Sequence, residues 1–171
     1  SIIMMAVAAA MGAGTAPAQD ANPFLAPYTA KYEIPPFEQI KPAHYLPALK
    51  AAIAEHNREI DAIVKNPEAP TFENTVLALD RAGRTYDRVA NVYMALSESN
   101  MTPDLEAVGK DFEPMMTAHA DEVAMNPGLF KRIKVLYDNR DKLGLAKDQK
   151  RYVEKLYKNF ARNGALLNAR D

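Results

Sequence analysis

From Leu46 onward, apolar positions recur every three or four residues. Leu46, Leu49, Ile53, His56, Ile60 and Ile63 form one stripe, with Lys50, Glu55, Arg58, Glu59 and Asp61 mostly off it. That period marks an amphipathic helix. Asn66-Pro67 should end it, because proline has no amide to donate and disfavours helix at the preceding residue. A second stripe runs through Phe72, Val76, Leu79, Tyr86, Val89, Tyr93 and Leu96 to about Ser97. Thr71 is its expected cap, the hydroxyl accepting a first-turn amide. Gly83 interrupts this stripe, at a cost of about 1 kcal/mol relative to alanine in a helix interior. Either a close helix contact requires the glycine, or the helix breaks there.

The third helix opens at Thr102-Pro103 and turns Leu105, Val108, Phe112, Met115 or Met116, His119 and Val123 inward. Pro114 inside it should kink it. Asn126-Pro127 repeats the cap-then-proline signal for a fourth helix, carrying Leu129, Phe130, Ile133, Leu136 and Tyr137 and ending near Gly144. A fifth opens at Lys147 or Asp148, with Tyr152, Val153, Leu156, Tyr157 and Phe160 facing inward. It is expected to run almost to the last residue, as in a chain cut within a larger structure. No alternating strand pattern and no βαβ rhythm competes with these stripes. The expected fold is all-α: about five antiparallel helices over residues 43–171, joined by short loops. The loops share no repeated template, so a solenoid is not expected.

Ahead of the helices, residues 19–42 read as an extended proline-rich arm. Pro23, Pro27, Pro35, Pro36 and Pro42 oppose helix there. Phe24, Leu25, Tyr28, Tyr32, Ile34, Phe37 and Ile40 should pin the arm across a surface. Residues 1–18 read as a signal-peptide remnant. Ile2 to Ala13 is uncharged and apolar, too short to span a bilayer, and Ala16-x-Ala18 fits a cleavage site that would leave a mature start near Gln19. No Lys or Arg precedes the run and Ser1 is no initiator, so the signal should begin upstream; a buried N-terminal helix is the alternative. Without a following Cys there is no lipid anchor. The expected location is periplasmic or secreted, with no stable membrane insertion after cleavage.

Composition narrows the function. At 171 residues, 48% hydrophobic and 25% charged, the chain suits one ordinary domain. A net charge of −1 argues against a nucleic-acid platform and against attraction to an anionic membrane. The lack of Cys excludes disulfides, thiolate zinc sites and a cysteine nucleophile.

The chemistry-bearing residues do not assemble in sequence. Zinc hydrolases often place two His one helical turn apart with a Glu beside the first. The three histidines, His44, His56 and His119, are isolated from one another and none has that partner. His44 should lie near a helix N-terminus, and His56 and His119 should be core or interface residues with one polar contact each. Asp121 with Glu122, and Asp111 with Glu113, splay around a helix instead of flanking one bond. Ser97 and Ser99 lack a placed base, and there is neither a nucleophile elbow nor a glycine-rich phosphate loop. Lys131, Arg132 and Lys134, matched by Asp138 and Asp141, read as a mixed solvated face. The tyrosines and methionines read as core, with a peptide groove as the alternative. No catalytic, cofactor-binding or metal-ligating residue is assigned to this chain.

Longer motifs say more. Asn66-Pro67-Glu68-Ala69-Pro70-Thr71-Phe72-Glu73-Asn74-Thr75 and Pro36-Phe37-Glu38-Gln39-Ile40-Lys41-Pro42-Ala43-His44-Tyr45-Leu46-Pro47-Ala48 stand in the order expected at the N-terminus of one enzyme family. Asn126-Pro127-Gly128-Leu129-Phe130 and Phe160-Ala161-Arg162-Asn163-Gly164-Ala165 follow in register. Over roughly residues 22–168 the chain resembles the thimet-oligopeptidase-type zinc metallopeptidases. It is most similar to the bacterial peptidyl-dipeptidase branch, since oligopeptidase A more often carries Trp where Phe72 stands. The resemblance implies a longer, largely helical enzyme that encloses a deep channel and hydrolyses short peptides. Its zinc would sit on a His-Glu-x-x-His helix and a downstream Glu in a C-terminal catalytic lobe outside this chain. On that reading these residues wall the channel and are inactive alone. A freestanding periplasmic peptide- or protein-binding module without catalysis is the competing reading.

Overall fold

A computed structural model describes residues 22–26, 28 and 34–165, with the backbone alone for Gly164 and Ala165. The signal-peptide reading, much of the arm and the last residues of the final helix fall outside the described residues.

Helix α1 (Pro42–Val64) begins with proline at its first position, where no amide is needed. His44 closes the first turn, its Nδ1 accepting from the Lys41 amide at 3.0 Å. The predicted stripe faces inward, with Leu49, Ile60 and Ile63 buried, and the helix stops at Val64, one residue before Asn66-Pro67 would require. At Thr71 the cap is reciprocal. Thr71 Oγ1 accepts from the Asn74 amide at 3.0 Å, and Asn74 Oδ1 accepts from the Thr71 amide at 2.8 Å. The chain then winds through a π-helical segment, Phe72–Leu77, into the short helix α2 (Ala78–Arg81).

The second stripe is not one helix. It breaks at Gly83, which stands in the left-handed region at φ 77°. Glycine alone enters that region without a side-chain penalty. The two sequence alternatives prove to be one feature, because the break is also the close contact. A Cβ on Gly83 would lie 2.8 Å from His56 Cε1, and the Gly83 amide donates to Glu59 Oε2 at 2.7 Å. Helix α3 (Arg84–Ser99) starts immediately after.

Thr102 caps α4 (Pro103–Ala124), accepting from the Leu105 amide at 3.2 Å. Asn126 caps α5 (Pro127–Asn139), accepting from the Leu129 amide at 3.0 Å. After a turn containing Gly144 at φ 64°, α6 (Lys147–Phe160) runs on into a π-helical turn, Ala161–Ala165. Five helices of 13 to 23 residues thus carry the fold, and no strand occurs among the described residues.

Two apolar cores share α1. Its N-terminal half packs with α3 and α4 around Tyr45, Leu49, Val89, Tyr93, Leu105 and Phe112. Tyr45 meets Tyr93 and Phe112 edge-on, with ring centroids 6.0 and 6.1 Å away, a favoured aromatic geometry. The C-terminal half packs with α5 and the end of α6 around Ile60, Ile63, Leu129, Phe130, Ile133 and Phe160. A satellite of Val76, Leu136 and Val153 joins the Phe72–Leu77 segment to α5 and α6.

Two expectations fail at the edges. Tyr152 is 45% exposed, because α6 packs chiefly on α5 and buries only the narrow stripe of Val153 and Phe160. Of the arm's apolar anchors, Phe24 is fully buried against Tyr45, but Leu25, Ile34 and Phe37 are exposed.

Candidate functional site

The family-like segment Asn66–Thr75 is clasped by one arginine. Arg132, on the inner side of α5, is only 7% exposed. Its Nε donates to Thr75 Oγ1 at 3.2 Å, and one terminal nitrogen donates to the Asn66 and Glu68 carbonyls at 3.0 and 3.3 Å. The other donates to Asn74 Oδ1 at 3.0 Å. Asn74 passes the network on, its Nδ2 donating to the Ala69 carbonyl at 3.0 Å. Thr75 is fully buried and donates its hydroxyl to Asn74 Oδ1 at 2.9 Å. A guanidinium presents five donors in a rigid fork, so a single side chain can satisfy several acceptors of one loop.

This overturns the expectation that Arg132 belongs to a solvated face with Lys131 and Lys134. The overlooked signal was positional: Arg132 stands three residues after Leu129 and four before Leu136, on the side α5 turns inward. Lys134 does behave as expected, paired in solvent with Asp138.

The second polar focus lies between the two cores. His56 Nδ1 and His119 Nε2 are 2.9 Å apart, joining α1 to α4 across 63 residues of sequence. Tyr86 of α3 packs against both rings, with centroid distances of 5.9 Å to His56 and 4.8 Å to His119. The Tyr86 hydroxyl donates to the Met116 carbonyl at 3.1 Å, which fixes its ring. The sequence expectation of core or interface histidines with one polar contact each holds, His119 being buried and His56 half-buried. The expectation that the histidines are isolated does not, because the fold makes two of them each other's partner.

Burial pushes the pKa of both rings below the ordinary histidine value. The carboxylates of Glu59 and Asp87 near His56, and of Glu122 near His119, oppose this to a lesser extent. His119 Nδ1 is buried with no hydrogen-bond partner. An orphaned N–H is rarer and costlier than an unused acceptor. His119 therefore carries its proton on Nε2 and donates to His56 Nδ1.

Among the described residues no group of three or more His, Cys, Asp or Glu is placed to hold a metal ion. The family resemblance implies zinc, which needs at least three protein ligands around one point. The two imidazoles instead direct their facing nitrogens at each other, so these residues do not fit that ion. Tyr93 donates to Glu113 Oε1 at 2.7 Å, and burial with that bond pushes its pKa up to about 12, so it stays a neutral phenol. A surface groove of about 610 Å³ runs beside the start of α3, where the Arg88 guanidinium stacks 4.7 Å above the Tyr28 ring.

The relatives of this chain are peptidases. It is 34% identical over 150 residues to the dipeptidyl carboxypeptidase of Escherichia coli (strain K12), a match covering 88% of this chain and 22% of that protein. The Salmonella typhimurium dipeptidyl carboxypeptidase is 33% identical over the same length and the same shares. Oligopeptidase A of Escherichia coli (strain K12) is 25% identical over 146 residues, covering 85% of this chain and 21% of that protein. No family model matches the chain. These relationships make the chain a homologue of the thimet-oligopeptidase-type peptidases. Within that group it is more similar to dipeptidyl carboxypeptidase than to oligopeptidase A, the order that Phe72 suggests. The chain spans about a fifth of the length of these relatives.

Proposed function

We propose that this chain is the N-terminal, channel-walling part of an exported zinc-dependent peptidyl-dipeptidase or oligopeptidase that hydrolyses short peptides. Its catalytic residues lie outside these 171 positions. The observation that carries the reading is an alignment at 34% identity that takes in 88% of this chain but 22% of its relative. The clasped Asn66–Thr75 loop supports it, since residues that carry the resemblance are tied to α5 through Arg132. In this role the chain contributes a rigid helical wall and no catalytic group.

The test is to express the reading frame that continues past Asp171 and to assay release of carboxyl-terminal dipeptides from an N-blocked oligopeptide. Chelator-sensitive hydrolysis by the longer product, with none by the 171-residue chain, is the expected result. Cleavage by the short chain alone, or a longer product with no peptidase activity, overturns the proposal. Export is read separately, from the compartment in which the natural protein fractionates.

A further inference from the structure

The His56–His119 contact sits where the two cores meet. Along α1, His56 falls between Ala52 of the first core and Ile60 of the second. Along α4, His119 falls between Met116, packed on the first, and Val123, packed on the second. One polar bond therefore joins α1 to α4 at the seam between the two clusters.

That bond tolerates very little protonation. The facing nitrogens hold one hydrogen between them, and in the neutral pair the remaining hydrogen resides on His56 Nε2. One added proton that preserves the 2.9 Å bond must go to His119 Nδ1, which is buried without an acceptor. A second added proton makes both facing nitrogens donors and abolishes the bond. The groups around the pair are Glu59 on α1, Tyr86 and Asp87 on α3, and Glu122 on α4. Glu59 Oε2 is already engaged by the Gly83 amide, whose residue lies against the His56 ring.

We propose that His56 and His119 form an acid-sensitive joint: in mildly acidic solution, protonation of the pair parts α4 from α1 and α3 and loosens the two cores against each other. The directions of both titrations agree, since burial disfavours the charged form of each ring. A histidine whose folded pKa lies below its unfolded value binds protons preferentially on unfolding. Stability is then complete above about pH 6.5 and drains as pH falls toward the folded values. The inference concerns the fold of this chain and stands independently of the peptidase reading.

The experiment is urea unfolding of the full chain between pH 8 and pH 5, paired with amide hydrogen exchange at both limits after correction for intrinsic rates. The unfolding constant should rise as pH falls below about 6.5, by up to about tenfold per pH unit for each proton taken up on unfolding. Exchange should accelerate first in α4 around His119, before α6. The comparison protein carries His56→Asn with His119→Gln, whose amide oxygen and amide nitrogen reproduce the hydrogen bond without titrating. Its unfolding constant should be flat over that window. A flat wild-type profile, or an equally steep double variant, overturns the joint. If the double variant does not fold, ring resonances of the wild type decide. Both histidines titrating below the ordinary range supports the joint, and either titrating at about 6.5 overturns it.

Discussion

Arg132 and the His56–His119 pair both make polar contacts between packed elements that span more than fifty residues, yet they respond to solution in opposite ways. The arginine spreads its guanidinium donors over four neutral oxygens of one loop. The histidines are neutral, hold a single hydrogen between them and leave one nitrogen without a partner. The first contact is a permanent clasp, the second a conditional one. What separates them is whether the donor can lose or gain a proton near neutral pH and whether each polar atom has a partner.

Breaking the clasp should have the largest effect. Arg132→Met removes the donor to two carbonyls and two side chains, of which Thr75 is fully buried, and should cost about 2–4 kcal/mol in urea unfolding. Arg132→Lys should recover only a small part of that, because one ammonium cannot reach all four acceptors. A loss under about 1 kcal/mol would show that water replaces the arginine, and the clasp would then be no clasp.

Gly83→Ala comes next. It forces a side chain into the left-handed region and drives a Cβ to 2.8 Å from the His56 ring, so a loss of about 1–3 kcal/mol is expected. The comparison is sharpened by where the damage appears: exchange should accelerate in α3 and α4 while the Asn66–Thr75 loop stays protected. Thr71→Ala removes half of a reciprocal cap on the other side of the contrast and should cost about 1 kcal/mol. The smallest expected effect is a null one. Arg132→Met should leave the slope of stability against pH between 5 and 6.5 unchanged, since the oxygens it holds are carbonyl, amide and hydroxyl oxygens. A changed slope would show that the two contacts are coupled.

Much of this was legible in advance because it is local. Thr71, Thr102 and Asn126 each accept the capping amide that their position in sequence predicts, and the stripes Leu49–Ile60–Ile63 and Leu129–Ile133–Leu136 are buried as their spacing requires. Gly83 was marked as either a break or a close contact, and the structure makes it both. Tyr152 was misplaced because a helix at the edge of a bundle buries fewer positions than its apolar residues would fill. Arg132 turns inward despite its charge, because its spacing from Leu129 and Leu136 puts it on the packed side of α5.

The sequence by itself determined the helices, their caps, the all-α class and the likeness to a peptidase family. Each depends on contacts within a turn or two, or on residue order alone. Only the tertiary structure decided that Arg132 serves a loop 57 to 66 residues away, and that His56 and His119 meet. No periodicity encodes which polar atoms find each other across packed helices. That pairing is set by how α1, α4 and α5 pack, and by the cost of leaving a buried donor or acceptor alone.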